Sequence, residues 1–504
     1  MNLSTAQAFE RAKEVCYRKI CGATQLQLVT QHMIESIITY AVALAISIIL
    51  FFLVLTHVSE FVGKDLWSFD MGLELTYWGV FFVSFIILIT PISIYMNVLL
   101  SSFKTTNVLI GSFEFSKSSA RFRNALIVVQ IFLSTLFIFQ SLVISDQLKY
   151  MASYDSGIDM EHVLVSYGPP TDSDVSVNKV KLFSDQLKEL AAVEDVTTSK
   201  SVPGYDRLLG TTSGVIIESL SSPGNVKLIS APFYATMTDI NYIDFLNAEV
   251  IAGRNFNEND WDSTAILNET AVKTLGFESP LSSIDHVLKV GPFEGRRVIG
   301  VVKDFNQTSL QKKIGNYVYL PSKKAVNRIL IRLRSNSPKQ TVSEVQQIWS
   351  SIFSDTNFDY FFLDDHFNNQ YLADEKLGKV LRWGSWLAIL LTSIGIFSAS
   401  THSIKQRYRE IGIRRVLGAT ITSIQFIFLK FYAYLICLAL VVGIPVSFFI
   451  SFNWLDSYAY RINLGLVYVV IPTIVIMLVT FMTIGYKVFM ASKMNPVETI
   501  RSAN

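Results

Sequence analysis

The chain has 504 residues, half of them hydrophobic, with 43 Lys and Arg against 41 Asp and Glu for a formal charge of +2. A mean hydropathy of +0.38 excludes an ordinary soluble domain of this length and indicates a membrane protein. Cys16, Cys21 and Cys437 all fall outside the longest polar stretch, which excludes a disulfide framework there.

Residues 1–30 are polar and basic without an apolar core of their own, so the first membrane helix is expected to act as the targeting signal. Within them, Arg11-Ala12-Lys13-Glu14-Val15-Cys16-Tyr17-Arg18-Lys19-Ile20-Cys21-Gly22-Ala23-Thr24 matches Arg407-Tyr408-Arg409-Glu410-Ile411-Gly412-Ile413-Arg414-Arg415-Val416-Leu417-Gly418-Ala419-Thr420. Each copy lies beside a long apolar run, which marks two related modules. Glu14 and Arg18, like Glu410 and Arg414, stand four apart in the order that favours an ion pair on a helix. Gly22 and Gly418 fall where a left-handed residue would end that helix, and Thr24 and Thr420 where an N-cap would start the next. The spacing predicts two elbows, each a short helix that breaks, turns and enters the bilayer. Attraction to anionic lipid needs charge but no register, so the shared frame of the copies argues for more than an anchor.

Six stretches are long enough to cross a hydrocarbon core as helices of about 20 residues. They are 34–55, 78–99, 126–145, 381–400, 431–452 and 467–486. Lys and Arg collect at the N-terminus, in the linker 101–125, around 405–415 and in the tail 487–504, which puts these segments in the cytoplasm and the longest soluble stretch outside. That orientation explains the basic residues, and no nucleic-acid partner is expected. The predicted organisation is a coupling helix and elbow at 1–30, two membrane helices within 31–100, the linker, a membrane helix at 126–146, an external domain at 147–379, a membrane helix at 380–402, the second elbow at 403–424, two membrane helices within 425–486, and the tail. Ionisable groups are few within the spans, which argues against an ion pathway. Gln130 and Gln140 are the polar exceptions and are expected to hydrogen-bond between helices, and Pro91, Pro445 and Pro472 can kink theirs.

The external domain alternates strand-like and helix-like signals, as mixed α+β domains do. Strands are predicted at 162–167, 265–267, 297–302, 317–320, 329–333 and 360–363, and helices at 177–192 and 342–352. The middle, about 204–321, reads as a part inserted into one made by the ends. Residues 147–151 and 374–382 are expected to prolong the flanking membrane helices as a stalk. Asp364-Asp365-His366, read as continuing a strand, would point to opposite faces and form no metal site. The chain holds no Gly-x-x-x-x-Gly-Lys-Ser/Thr phosphate loop, no Gly-x-Ser-x-Gly elbow and no His-Glu-x-x-His pair, so neither catalysis nor a bound cofactor is expected of it.

Residues 409–420, the Asn495-Pro496-Val497-Glu498-Thr499-Ile500-Arg501 tail and Tyr458-Ala459-Tyr460-Arg461-Ile462 occur in order with Gly253-Arg254-Asn255-Phe256, Leu267-Asn268-Glu269-Thr270-Ala271, Val298-Ile299-Gly300-Val301-Val302-Lys303-Asp304-Phe305 and Phe361-Phe362-Leu363-Asp364-Asp365. This set resembles the MacB-like, or FtsX-like, permeases of ABC transporters over nearly the whole chain. The resemblance implies a polytopic α-helical membrane protein of six transmembrane helices with one large α+β periplasmic MacB-type domain, in the bacterial inner membrane. It implies a cytosolic ABC ATPase as partner, which carries the ATP and Mg and is engaged through Glu14, Arg18, Lys19, Gly22, Arg409, Glu410, Arg414, Arg415 and Gly418. Motion of the ATPase would pass through the membrane helices to the periplasmic domain and drive efflux of antibiotics, peptides or lipoproteins. The alternative is an FtsX-like regulator of a periplasmic partner. A periplasmic adaptor, an outer-membrane channel and a second permease chain are further partners the family admits. Two-module members carry eight helices and two external domains, so the first module is expected to lack its first helix, external domain and second helix. That implies a misplaced start site, a missing N-terminal half supplied as a separate chain, or an inactive truncated permease.

Overall fold

The computed structural model describes residues 18, 21–62, 83, 117–169, 173–204, 210–212, 215–218, 226–290, 293–325, 327–334, 338–354 and 356–492. Glu14, Lys19, the second predicted membrane helix apart from Val83, and the tail from Lys493 lie outside them. The chain divides into a helical unit (Met1–Ser145, Glu375–Phe452, Asn463–Asn504) and an α+β unit (Asp146–Asp374, Asn453–Ile462).

Two long helices come first, α1 (Gln25–Val62) and α2 (Lys117–Ala152). At 1.5 Å per residue the 38 residues of α1 extend about 57 Å, well beyond a hydrocarbon core of about 30 Å. The span predicted in α1 contains an ionisable residue, Glu35, that departs from the expected apolar character of the membrane helices.

The α+β unit then runs β1 (Val163–Tyr167), α3 (Asp174–Lys188), β2 (Val193–Ser199), β3 (Gly210–Thr212), β4 (Val215–Glu218), β5 (Val226–Ile229), β6 (Phe233–Thr238), α4 (Tyr242–Phe245) and β7 (Val250–Gly253). It continues through β8 (Thr264–Asn268), α5 (Glu269–Leu275), β9 (Val287–Val290), β10 (Phe293–Val302), β11 (Asn316–Pro321), β12 (Arg328–Leu333), α6 (Pro338–Ile352), β13 (Tyr360–Phe362) and α7 (Leu363–Asn369). The strands form one sheet in the order β13-β1-β12-β2-β6-β11-β8-β10-β9-β4-β5, with β3 on β6 and β7 on β10. Strands from the two ends of the segment make one half and strands from its middle the other. The halves meet at a single register pair, Ser199 with Thr238.

Local chemistry sets the helices. Ser173 caps α3, its hydroxyl accepting from the Ser176 N–H at 3.2 Å, and Asn268 caps α5 by accepting from Ala271 at 3.1 Å. One face of α3 (Val180, Phe183, Leu187) packs with Val345 and Trp349 of α6 over Ile329 and Ile331 of β12. Phe183 meets Trp349 edge to face at 5.3 Å, an arrangement worth about 0.5–1.5 kcal/mol beyond area burial. Ala271, Val272 and Leu275 of α5 cover the middle strands through Leu267, Val298 and Val318. On the opposite face one core crosses both halves, from Val163 and Leu330 to Tyr242, Ile266 and Tyr319.

Three departures from the sequence reading have physical causes. The alternation of β12 does not separate core from solvent, because both faces are buried and Arg332 reaches the Asp159 carboxylate at 2.6 Å and the Phe245 carbonyl. Strand β13 stops at Phe362, and Asp364-Asp365-His366 lie on α7, where the two carboxylates sit in the first turn and favour the helix dipole. Strands β2 and β6 escape prediction because their polar residues are interior: Thr197, Ser199, Thr236 and Thr238 are buried.

The chain closes with α8 (Leu372–Gln406), α9 (Tyr408–Val416), α10 (Ile421–Leu455) and α11 (Val467–Ser492). Among the described residues α1, α2, α8, α10 and α11 are long and apolar enough to cross a membrane. Helices α2 and α8 also cover the predicted stalk residues 147–151 and 374–382. In the helical unit Ile127 and Ile131 of α2, Ile396 of α8, Tyr432 and Ile436 of α10 and Ile476 of α11 share one core. Pro445 and Pro472 lie within continuous helices, α10 and α11.

Candidate functional site

The second elbow is built from α9 and its flanks. The Glu410 carboxylate meets the Arg414 guanidinium at 2.7 Å, the pair that the four-residue spacing predicts. Both side chains are exposed, so the pair adds only about 0.3–0.5 kcal/mol. The helix ends in a Schellman turn: Ala419 N–H donates to the Arg414 carbonyl at 2.9 Å and Gly418 N–H to that of Arg415 at 3.1 Å. Gly418 takes φ +88°, which a residue without a Cβ adopts at little cost. Thr420 then caps α10, its hydroxyl accepting from the Ser423 N–H at 3.3 Å. Ile411 is buried with Ile404, Ile424 and Phe428, whereas Ile413, Arg414, Arg415, Val416 and Leu417 face outward. Arg409 has its backbone in α9.

The first elbow repeats this geometry in the same register. Ala23 N–H donates to the Arg18 carbonyl at 2.9 Å, Gly22 takes φ +93°, and Thr24 caps α1. The cap is a reciprocal box: Gln27 N–H donates to the Thr24 hydroxyl at 3.4 Å and Thr24 N–H to the Gln27 side-chain carbonyl at 3.0 Å. Arg18 is exposed, and Glu14 and Lys19 precede or adjoin it outside the described residues. The structure thus brings Glu410, Arg414, Arg415 and Gly418 onto one elbow, and Arg18 and Gly22 onto its counterpart.

Behind the elbows the membrane helices are tied by polar contacts. The Gln140 amide of α2 donates to the Ser447 carbonyl of α10 at 3.1 Å, and its oxygen accepts from the Ser451 hydroxyl at 3.0 Å. The Ser134 and Thr392 hydroxyls join α2 to α8 at 2.8 Å, and Thr392 also donates to the Gln130 carbonyl at 3.3 Å. Gln140 bonds through its side chain as predicted, and Gln130 takes part here through its backbone.

A second site went unread in the sequence. The connection between α10 and α11, Asn453–Ile462, belongs to the α+β unit. Tyr458 is buried with Met151, Leu310, Phe367 and Tyr371, and Trp454 and Tyr460 pack against the same cluster. The Gln147 amide donates to the Tyr460 carbonyl at 2.8 Å while its oxygen accepts from the Ile462 N–H at 3.0 Å. Ala459 N–H donates to the Gln311 carbonyl at 3.0 Å, and the Gln311 amide to the Asp374 carboxylate at 3.0 Å. Burial, and then the adjacent Asp374 carboxylate, push the Tyr458 phenol above its ordinary range. The signal available was the aromatic density of Tyr458-Ala459-Tyr460, which suits a buried contact better than an exposed turn.

The FtsX-like permease C-terminal model matches residues 1–107 and 384–496, and the MacB-like periplasmic core domain matches 125–348. The chain is 32% identical over 84 residues to the ABC transporter permease YtrF of Bacillus subtilis, 17% of this chain and 19% of that protein. It is 25% identical over 244 residues to a probable export ATP-binding/permease protein of Pseudomonas fluorescens, 45% of this chain and 36% of that one. The matched segments thus span little more than a third of these relatives at most. The solved periplasmic region of MacB from Actinobacillus actinomycetemcomitans is 18% identical, with a TM-score of 0.29, covering 43% of this chain and 94% of that one. Because the two family models together account for both elbows, the helices beside them and most of the α+β unit, the chain belongs to the FtsX-like, MacB-like permease family of ABC transporters.

Proposed function

We propose that the chain is the permease subunit of an ABC transporter, engaging a separate cytosolic ATPase, with its ATP and Mg, through the two elbows. The observation that carries this reading is the repeated elbow: one backbone bond closing a six-residue turn, one left-handed glycine and one threonine cap, twice, in the same register. A lipid anchor needs none of that geometry, whereas a rigid protein surface that must fit two subunits of a dimeric ATPase does. Glu410, Arg414, Arg415 and Gly418, with Arg18, Lys19, Glu14 and Gly22 in the first copy and Arg409 in the second, are the coupling residues of this proposal. Movement at the elbows passes along the membrane helices to the Asn453–Ile462 connection and the periplasmic domain. The membrane is the bacterial inner membrane, and the role is export, in keeping with the description of the Pseudomonas relative.

The test is purification of the full chain from its membranes with whatever ATPase accompanies it. A nucleotide-hydrolysing partner is expected with the wild type and lost with Glu410→Arg or Gly418→Val. Recovery of the same ATPase at normal yield with both variants would contradict the assignment.

A further inference from the structure

The two elbows share a turn, and among the described residues different contacts hold each one. In the second, Ile411 of α9 is buried among Ile404, Ile424 and Phe428, an apolar anchor within the helical core. The first elbow has another fastening. The Arg18 guanidinium donates to the Gln31 side-chain oxygen at 2.5 Å, and the Gln31 amide donates to the Glu35 carboxylate at 3.1 Å. Gln31 and Glu35 lie one turn apart on α1, so the chain of contacts runs from the segment before the turn onto the membrane helix after it.

The repeat register sharpens the contrast. Gln31 and Glu35 correspond to Ile427 and Phe431 of α10, so the polar pair exists in only one copy. An ionisable side chain in an apolar span is costly and normally has a role. Ile37, Val42, Ile46, Ile49 and Leu53 of α1 are exposed, whereas Phe428 and Tyr432 of α10 are interior. Among the described residues, a polar tie thus joins the first elbow to α1, and Ile411 packs the second against α10.

We infer that Gln31 and Glu35 are positioning residues that fix the first elbow against α1 through Arg18, a tie that Ile427 and Phe431 cannot make in the second copy. The significance for coupling rests on the function proposed above, but the tie itself does not.

The experiment measures elbow geometry in the full chain without an ATPase, by distances between spin labels. One pair sits on Cys21 and Ile46→Cys, and the matching pair on Leu417→Cys and Val442→Cys, with the remaining native cysteines replaced by Ser. Gln31→Leu is expected to broaden the first distance distribution by about twofold and leave the second unchanged, and Ile411→Gln to do the reverse. Glu35→Leu should act like Gln31→Leu. The inference is overturned if the first pair keeps its wild-type width in Gln31→Leu, or if Gln31→Leu broadens both pairs, which would show general unfolding. Since no ATPase is present, loss of the tie and loss of ATPase binding are separate outcomes.

Discussion

Gly418 concentrates the local argument in one residue. It takes φ +88° and nothing lies within 4 Å of where a Cβ would stand, so a substitution there meets backbone strain and no clash. Gly418→Val forces a β-branched residue into the left-handed region, at about 1–3 kcal/mol. Gly418→Asn, which tolerates that region, should retain ATPase recovery where Gly418→Val loses it, measured by co-purification at equal expression. His366 offers a test in the α+β unit. Burial, aided by Arg328, lowers its pKa, so the folded state favours the neutral ring. The unfolded chain then binds more protons below its ordinary value of 6.5, and the stabilising contribution is lost as pH falls from about 7 through the folded-state pKa. Hydrogen exchange of β1 and β13 amides in the full chain should accelerate between pH 7 and 5 after correction for intrinsic rates, and His366→Gln should flatten that trend. The elbow residues were legible because caps and four-residue pairs are local. The contact of Arg18 with Gln31, 13 positions away and across a turn, was not.

At the scale of elements, long apolar runs announced their helices, whereas β2 and β6 mix apolar residues with buried Thr197, Ser199, Thr236 and Thr238, which read from the sequence as polar. The polar ties of the bundle were legible as isolated glutamines, but their partners required the fold. Gln140→Leu should weaken the α2–α10 contact by about 0.6–1.7 kcal/mol, read as lower thermal stability in detergent. Ser451→Ala should cost less alone and little more in the double variant, because the two side chains share one hydrogen bond. The Asn453–Ile462 anchor depends on Tyr458 and Gln147. Tyr458→Ala leaves a cavity in a small aromatic cluster, with an expected loss of about 3–5 kcal/mol by analogy with other buried aromatic rings. Exchange at residues 456–462 should rise sharply in that variant while the β-sheet amides stay protected; unchanged exchange would show that the loop is held by other contacts.

For the whole molecule, two sites matter: the elbows of the helical unit and the Asn453–Ile462 anchor of the α+β unit. Helices α10 and α11 connect these sites covalently: α10 begins at the second elbow and ends at the anchored loop, from which the chain passes into α11. The most direct measurement of this account is hydrogen exchange of residues 453–462 in the full chain with its co-purified ATPase, compared without nucleotide and with the ATPase trapped by ATP and vanadate. Trapping should change exchange in the loop of the wild type and have no effect in Gly418→Val. Identical loop exchange in both nucleotide states of the wild type, with the ATPase demonstrably bound and trapped, would contradict the account.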